Sequence, residues 1–298
     1  MPCCASFRIM GEETSYIRSH MDIKAIALDI DGTLTNDDKK ITPRTREALL
    51  AAQASGIRLI LASGRPERGL RAYARELDLE RNHGMLVAFN GALVIDAQTN
   101  EVLFDEPMSA EDCRAVIDHM RDFDVTPWIV EGDQMYVEQG MPHMILHKGE
   151  PMDIVEFERY HLDLVLNEVP SLTEFCTRPQ EKLLVAGTDT YLQEHWREMS
   201  APFEDRLSSM FTADFYYEFM APGIDKSVGL RYALPKCGIE PSELVAFGDG
   251  QNDVAMLSLA GTGVAMGNAV EEAKNVSDMV TGNNNEDGIA RALEKLLA

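Results

Sequence analysis

The chain is short of positive charge: it has 27 lysines and arginines against 50 aspartates and glutamates, and its formal net charge is −23. Nucleic acids and anionic membranes bind to basic surfaces, so this balance argues against both as partners. The surface as a whole also does not attract an anionic substrate. A site for an anion must therefore be made positive locally, by a metal ion and by cationic side chains, for which Lys226 and Arg65 are candidates.

Long apolar runs, a cysteine framework and a nucleotide-binding loop are lacking as well. No window of the sequence approaches the roughly 18 apolar residues of a membrane span. The five cysteines are odd in number and scattered, which predicts no disulfide framework and indicates a reducing, cytoplasmic setting. The glycine-rich loop of P-loop nucleotide kinases is absent, which weighs against that class of enzyme.

Two aspartates follow the first apolar run of the sequence. Residues 23–28 predict a buried strand, and Asp29 and Asp31 come directly after it, just before a glycine. Ligands of open parallel sheets bind beyond the carboxyl ends of the strands, so we expect both carboxylates at a binding site. Taken alone, the segment could also be an ordinary aspartate-glycine turn. A calcium-binding EF-hand loop is excluded, because the glycine and the final acid that it requires are missing.

Further candidate residues follow downstream, each at a predicted strand end or helix start. They are Ser63 and Gly64 after the apolar run 57–62, Lys226 at the start of a predicted helix, and Asp249, Asn252 and Asp253 after the run 244–247. Each has an ordinary alternative role, as a helix cap, a solvated lysine or a turn residue. Together they supply a nucleophile, a hydroxyl group, a cation and a pair of metal-binding carboxylates. This agreement favours a single shared active site.

These segments resemble the four motifs of the haloacid dehalogenase-like superfamily and, within it, the Cof-type sugar-phosphate phosphatases. Residues 90–92, 265–269 and 286–288 also fit the Cof-type pattern. The resemblance extends from about residue 23 to residue 296 and is weakest in the middle third of the chain. One departure is Ser227, because these proteins usually have glycine after the motif lysine.

Strand-like and helix-like segments alternate at both ends of the chain, which predicts an α/β fold with a Rossmann-like parallel-sheet core. We expect this core to comprise residues 22–106 and 214–298, with a strand at 216–220 returning to it. In residues 107–213 this regular alternation stops, and predicted helices are combined with a predicted hairpin. This pattern predicts an inserted α+β cap. Residues 1–21 are expected to be a disordered or extraneous N-terminal extension.

Phosphoryl transfer needs positioning and charge compensation more than covalent chemistry, and the candidate residues fit that demand. Asp29 is the expected nucleophile, which would form an aspartyl-phosphate, and Asp31 is the expected general acid and base. Mg²⁺ prefers oxygen ligands, and its expected ligands are Asp29, the Asp31 carbonyl group, Asp249 and, through water, Asp253. The expected donors to the phosphoryl oxygens are Ser63, the Gly64 amide, Lys226 and Asn252.

These expectations define a Mg²⁺-dependent phosphatase that acts on a small phosphorylated metabolite such as a sugar phosphate. A phosphomutase of the same superfamily is one alternative, because it differs only in the acceptor of the phosphoryl group. A non-catalytic binding or regulatory protein is another, although the intact pair Asp29 and Asp31 argues against it. The sequence leaves open whether the chain forms a homodimer.

Substrate selection is expected to come from the cap, because the candidate residues for the chemistry lie outside it. The cap residues with the reach to contact a substrate are His143, His147, Arg178 and Lys182. For each of them, an ordinary surface position is the favoured alternative.

Overall fold

The computed structural model describes residues 22–297, and the expected N-terminal extension 1–21 lies outside these described residues. The strands are β1 (Ala25–Leu28), β2 (Arg58–Ala62), β3 (Met85–Ala88), β4 (Leu93–Asp96), β5 (Val102–Asp105), β6 (Thr126–Glu131), β7 (Gln134–Glu138), β8 (Met144–His147), β9 (Glu150–Asp153), β10 (Val165–Val169), β11 (Leu183–Ala186), β12 (Ser208–Ala213), β13 (Tyr216–Met220), β14 (Leu244–Gly248), β15 (Thr262–Ala265) and β16 (Met279–Val280). The α-helices are α1 (Pro43–Ala54), α2 (Glu67–Glu76), α3 (Ala110–Met120), α4 (Ile154–Leu162), α5 (Leu172–Phe175), α6 (Asp189–Ser200), α7 (Lys226–Lys236), α8 (Val254–Leu259), α9 (Glu271–Val276) and α10 (Gly288–Leu296).

The larger sheet has eight strands in the order β16-β15-β14-β1-β2-β3-β4-β5. Neighbouring strands from β16 to β3 run parallel, whereas β4 and β5 extend the edge as antiparallel strands. Strand β1 lies between β14 and β2, and all four of its residues are buried. The carboxyl ends of these three parallel strands therefore meet at one edge of the sheet, where ligands of such sheets bind.

Helices cover both faces of the larger sheet, as the apolar character of its central strands requires. On one face, α1 and α10 contribute Leu49 and Leu293 to an apolar cluster with residues of β1 and β2. On the other face, α7 and α8 contribute Leu230 and Met256 to a second cluster. The parallel strands are thus buried on both sides and present only their carboxyl ends to a ligand.

The smaller sheet has six strands in the order β10-β7-β6-β11-β13-β12 and is formed by the part of the chain between β5 and α7. It has two apolar clusters of its own, which are built around residues such as Phe219 and Trp128. Strands β8 and β9 form a separate hairpin beside it. The predicted α/β fold, a Rossmann-like core with an inserted α+β cap, is confirmed.

The expectation that residues 216–220 return to the core is wrong. Strand β13 pairs with β11 and β12 in the smaller sheet. The reason is the packing of its aromatic side chains, since Tyr217 and Phe219 enter one apolar cluster of the cap and Tyr216 enters the other. Only at Met220 and Ala221 do side chains join the cluster of the larger sheet. We therefore propose that the cap comprises residues 107–221.

None of the helices between residues 22 and 297 combines the length and the apolarity that crossing a bilayer requires.

Candidate active site

Three strand ends and one helix start bring the predicted site residues together. Asp29 follows β1, Ser63 follows β2, and Asp249 follows β14, so the register of the parallel sheet places them side by side. They line a cavity of about 270 Å³ between the larger sheet and the cap. The other predicted residues on its wall are Asp31, Gly64, Asn252 and Asp253.

Lys226 reaches the same place from the first turn of α7. Asp225 caps this helix, because its carboxylate accepts hydrogen bonds from the amides of Ser227 and Val228. The Ser227 hydroxyl also donates to Asp225, over 2.6 Å, so the residue that departs from the family pattern strengthens the cap of the helix. The backbone at Lys226 is thereby fixed at the start of the helix.

The ammonium group of Lys226 joins two of the predicted carboxylates. Its Nζ atom donates to Oδ1 of Asp29 over 2.6 Å and to Oδ1 of Asp253 over 2.5 Å. The lysine side chain is completely buried. Burial opposes its charge, but the attraction of Asp253 and Asp29 outweighs this effect and raises the pKa of Lys226.

Three carboxylates surround this single lysine. Oxygen atoms of Asp29, Asp249 and Asp253 all lie within 4.8 Å of one another. Burial raises the pKa of Asp29 well above its usual range, and Asp253 and Asp249 add to the rise, although Lys226 opposes it. Burial, followed by the charge of Asp253, raises the pKa of Asp249 to about 7. An excess of buried carboxylate oxygens over positive charge fits a divalent cation, for which oxygen is the preferred ligand.

Asp253 also holds the loop that carries Asp249. Its Oδ2 atom accepts hydrogen bonds of 2.9 Å from the backbone amides of Asp249 and Gly250. The Thr33 hydroxyl donates to Oδ1 of Asp249 over 2.7 Å. These bonds fix the carboxylates before any ligand arrives, so little reorganisation is required for binding.

Asp31 lies outside the carboxylate cluster and is bound by two cations instead. The Nε and Nη2 atoms of Arg65 each donate to the Asp31 carboxylate over 2.7 Å, and Nζ of Lys39 donates over 2.7 Å. Burial alone would raise the pKa of Asp31, but Arg65 and then Lys39 outweigh burial and hold this pKa well below its usual range. The carboxyl group of Asp31 is therefore ionised at neutral pH.

Lys39 is a site residue that sequence analysis missed, whereas Arg65 was considered there only as a cation that makes the site locally positive. Arg65 follows Gly64 directly, so its position next to a candidate residue was a usable signal. Lys39 belongs to the loop after β1 and has a left-handed backbone with φ of 58°. Nothing in the local sequence distinguishes Lys39 from a solvated lysine.

The phosphate-donor candidates Ser63, Gly64 and Asn252 line the same cavity as Asp29, the nucleophile candidate. The Ser63 side chain is almost fully buried, and its Oγ accepts a 3.2 Å hydrogen bond from the amide of Arg65. The side-chain amide of Asn252 donates to Oδ1 of Asn90 over 3.0 Å. A Cβ atom at Gly64 would come within 3.1 Å of the Asn90 side-chain amide, so the close approach of this loop leaves little room for a larger residue.

Of the four cap residues considered from sequence, Lys182 lines the cavity. Arg178 forms an ion pair with Glu131 in a neighbouring cleft, and His147 lies 3.5 Å from Asp189. His143, which is among the residues that the structure describes, does not line the cavity either. The cap side of the wall consists largely of apolar and aromatic residues that sequence analysis did not single out, namely Phe157, His161, Leu162, Leu184, Phe215 and Tyr216.

One cap carboxyl group on the cavity wall, that of Glu158, forms no direct ion pair with a cation between residues 22 and 297. Glu158 lines the cavity, and its Oε2 atom accepts a 2.8 Å hydrogen bond from the Tyr216 hydroxyl. Burial raises the pKa of Glu158 above its usual value, although the charge of Lys182 opposes this effect.

A parallel sheet that carries an aspartate pair, a buried lysine and an acidic cluster at its carboxyl edge defines a class of phosphoryl-transfer hydrolase. Comparison with known proteins agrees. The chain belongs to the haloacid dehalogenase-like hydrolases, whose family model matches residues 26–293.

Relatives and solved structures are similar over nearly the whole chain. The putative phosphatase YkrA of Bacillus subtilis is 30% identical over 281 residues, which cover 93% of this chain and 98% of that protein. A haloacid dehalogenase-like hydrolase from Bacteroides thetaiotaomicron superposes with a TM-score of 0.81 and 31% identity, over 92% of this chain and 99% of its own. A subclass IIB sugar phosphatase of the same superfamily superposes with a TM-score of 0.77 and 28% identity, over 91% and 98% of the two chains. The predictions of a Cof-type family member and of a phosphatase-type enzyme are confirmed.

Proposed function

We propose that this protein is a Mg²⁺-dependent phosphatase that hydrolyses a small phosphorylated metabolite, such as a sugar phosphate, through an aspartyl-phosphate on Asp29. The observation that carries the proposal is the different environment of the two neighbouring aspartates. Asp29 contacts Lys226 within the acidic cluster, whereas Asp31 is held apart from that cluster by Arg65. This difference supports Asp29 as the group that bonds to phosphorus and Asp31 as the group that transfers a proton.

In the first step, an oxygen of Asp29 attacks phosphorus, and the bond from phosphorus to the leaving oxygen breaks. Lys226, Ser63 and Asn252 hold the oxygens of the transferring group, with the amide of Gly64 as a further donor. Asp29, Asp249 and Asp253, together with the Asp31 carbonyl group, would hold Mg²⁺, which when bound supplies the positive charge that lets a carboxylate approach a phosphate.

Asp31 transfers protons in both steps. It donates a proton to the leaving alcohol in the first step and accepts one from the attacking water in the second, when the bond from phosphorus to Asp29 breaks. The contacts with Arg65 and Lys39 keep Asp31 ionised before substrate arrives. We infer that an anionic substrate draws these cations from Asp31, so that its carboxyl group can take up the proton needed for the first step.

The size and the lining of the cavity support a small leaving group. Its volume of about 270 Å³ and its aromatic cap wall suit a compact alcohol such as a sugar. The similar subclass IIB sugar phosphatase favours sugar phosphates as the first class to test. Within residues 22–297, Cys113, Cys176 and Cys237 are free thiols, which supports the proposal of a reducing, cytoplasmic setting.

A panel of phosphorylated metabolites, assayed for released phosphate with and without Mg²⁺, tests the proposal. We expect hydrolysis of at least one sugar phosphate, loss of activity in a chelator, and recovery on addition of Mg²⁺. The Asp29→Asn variant is the matched control for contaminating phosphatases, because it preserves the shape of the side chain. Equal phosphate release by the wild type and by this variant would contradict the proposal.

A further inference from the structure

A buried ion pair of the cap contacts the loop that carries the phosphate donors. The Nζ atom of Lys182 donates to Oε1 of Glu218 over 2.5 Å and to the carbonyl oxygen of Gly64 over 2.8 Å. The lysine side chain is 9% exposed and the glutamate side chain 2% exposed. Lys182 immediately precedes β11, and Glu218 lies in β13, the neighbouring strand of the cap sheet.

The same pair extends through Asn90 to Asn252. The second oxygen of Glu218, Oε2, accepts a 2.8 Å hydrogen bond from Nδ2 of Asn90. Oδ1 of Asn90 in turn accepts the 3.0 Å hydrogen bond from Nδ2 of Asn252. Asn90 is fully buried and has a left-handed backbone with φ of 53°. A continuous chain of hydrogen bonds thus runs from Gly64, through the cap, to Asn252.

Stability alone does not account for this arrangement. A buried ion pair loses the hydration of both charges, and an apolar pair of similar size often stabilises a fold as well or better. Here each oxygen of Glu218 has its own partner, and both ends of the chain reach candidate phosphate donors. Asn252 uses one amide hydrogen on Asn90, which leaves the other for a phosphate oxygen.

Lys182 also acts on Ser63 through the backbone. The Gly64 carbonyl belongs to the peptide group whose amide hydrogen is on Arg65, and that amide donates to Oγ of Ser63. A cation on the carbonyl oxygen polarises the peptide group and strengthens its amide as a donor. The orientation of the Ser63 hydroxyl therefore depends on a cap residue.

We propose that Lys182 and Glu218 are positioning residues, through which the cap sets the geometry of the phosphate-binding donors. The proposal rests on the proposed function, since it takes Gly64, Ser63 and Asn252 as groups that bind the phosphoryl oxygens. It assigns the cap a second task besides contact with the leaving group. The cap becomes part of the phosphate site, although neither cap residue is required to touch the phosphoryl group.

Inhibition by inorganic phosphate tests the proposal, because phosphate has no leaving group and would occupy only the donors of the core. The variants are Lys182→Met, Glu218→Gln and the double variant, measured in Mg²⁺ buffer beside Lys148→Met, which alters an exposed lysine of the cap. We expect phosphate to bind about 10- to 100-fold more weakly to the first three, because displaced donors lose contacts of this magnitude. We expect Lys148→Met to match the wild type.

Glu218→Gln separates positioning from simple electrostatics. Removal of a negative charge near the site would strengthen phosphate binding if charge alone mattered, whereas loss of positioning weakens it. The double variant leaves no unpaired buried charge, so it can be measured even if a single variant unfolds. Phosphate binding to the folded variants that is as tight as in the wild type, or tighter, would overturn the proposal.

Calorimetric titration with inorganic phosphate gives the same comparison without any turnover. If the wild type hydrolyses no ester but binds phosphate and the variants bind it more weakly, the proposed function fails and the positioning role stands. If the wild type is active and all variants bind phosphate equally well, the positioning role fails alone.

Discussion

Lys226 lies between Asp29 and Asp253, with its Nζ atom 2.6 Å from one carboxylate and 2.5 Å from the other, and its side chain is fully buried. A buried lysine in this position compensates the negative charge of the two carboxylates, which would destabilise the fold if they were buried without a cation. With Asp249 nearby, the cluster still has more negative than positive charge. The arrangement is therefore compatible with the binding of a further cation.

The first prediction concerns this lysine. Lys226→Met should destabilise the metal-free protein by about 3–5 kcal/mol, because two buried carboxylates lose their partner. Mg²⁺ should restore part of the loss, since it neutralises the same charges. Urea denaturation in chelator and in Mg²⁺ measures both effects. Equal free energies of unfolding for the variant and the wild type in chelator would show that the lysine is not needed for charge compensation.

The second prediction separates proton transfer from metal binding at Asp31. Asp31→Asn should lower the turnover rate by about 10²- to 10⁴-fold, the usual contribution of a general acid or base. Stabilisation by Mg²⁺ should persist, because the Asp31 carboxylate lies outside the acidic cluster. Steady-state rates and thermal unfolding with Mg²⁺ give the two readouts. A variant that loses Mg²⁺ stabilisation together with activity would place its carboxylate among the metal ligands.

The third prediction follows from the raised pKa of Asp249, which is about 7. An unfolded aspartate has a pKa of about 3.9, so between about pH 4 and pH 7 the metal-free folded protein binds more protons at this residue than the unfolded chain does. The contribution of Asp249 to stability therefore falls as the pH rises through this range. Mg²⁺, which requires the ionised carboxylate, should stabilise the protein more at pH 8 than at pH 5.

Thermal unfolding from pH 5 to pH 8, with and without Mg²⁺, measures this dependence. Asp249→Asn is the matched control, because its side chain has the same shape and does not titrate. We expect the variant to have a shallower decline in chelator and little gain from Mg²⁺. Identical pH profiles for the variant and the wild type would rule out Asp249 as the titrating group.

The fourth prediction concerns the independence of the two sheets. Replacement of residues 107–221 by a short linker should leave a core that folds and is stabilised by Mg²⁺, because the larger sheet is covered mainly by apolar residues from outside the cap. The ranking of substrates should change, since the cap wall of the cavity is removed. A truncated protein with the ranking of the full chain would assign selectivity to the core.

Residues next to strand ends were predictable, because a parallel sheet brings the ends of neighbouring strands together whatever loops follow. Asp29, Ser63 and Asp249 are of this kind. The contact between Asn90 and Glu218 was not predictable, since it joins residues 128 positions apart, one in the turn between β3 and β4 and the other in β13 of the smaller sheet. Its formation depends on the way the cap packs on the core, which no local pattern encodes.

The strand at 216–220 is a second example of a feature that the local sequence does not determine. Its apolar and aromatic residues correctly predict a strand, and all five of its residues are buried, but this pattern does not specify which sheet the strand joins. The answer depends on its partners β11 and β12. The same limit applies to the single side chain of Lys39. Its ion pair with Asp31 accompanies a left-handed backbone conformation at Lys39, which the local sequence does not predict.

The central claim, hydrolysis of a phosphate ester, is tested most directly by turnover in ¹⁸O-labelled water. A phosphatase transfers the phosphoryl group from Asp29 to water, so one labelled oxygen should appear in each released phosphate, at the rate at which substrate is consumed. Mass spectrometry of the phosphate and of the remaining ester measures both quantities. Consumption of the substrate to an isomeric phosphate ester, without labelled inorganic phosphate, would contradict the account.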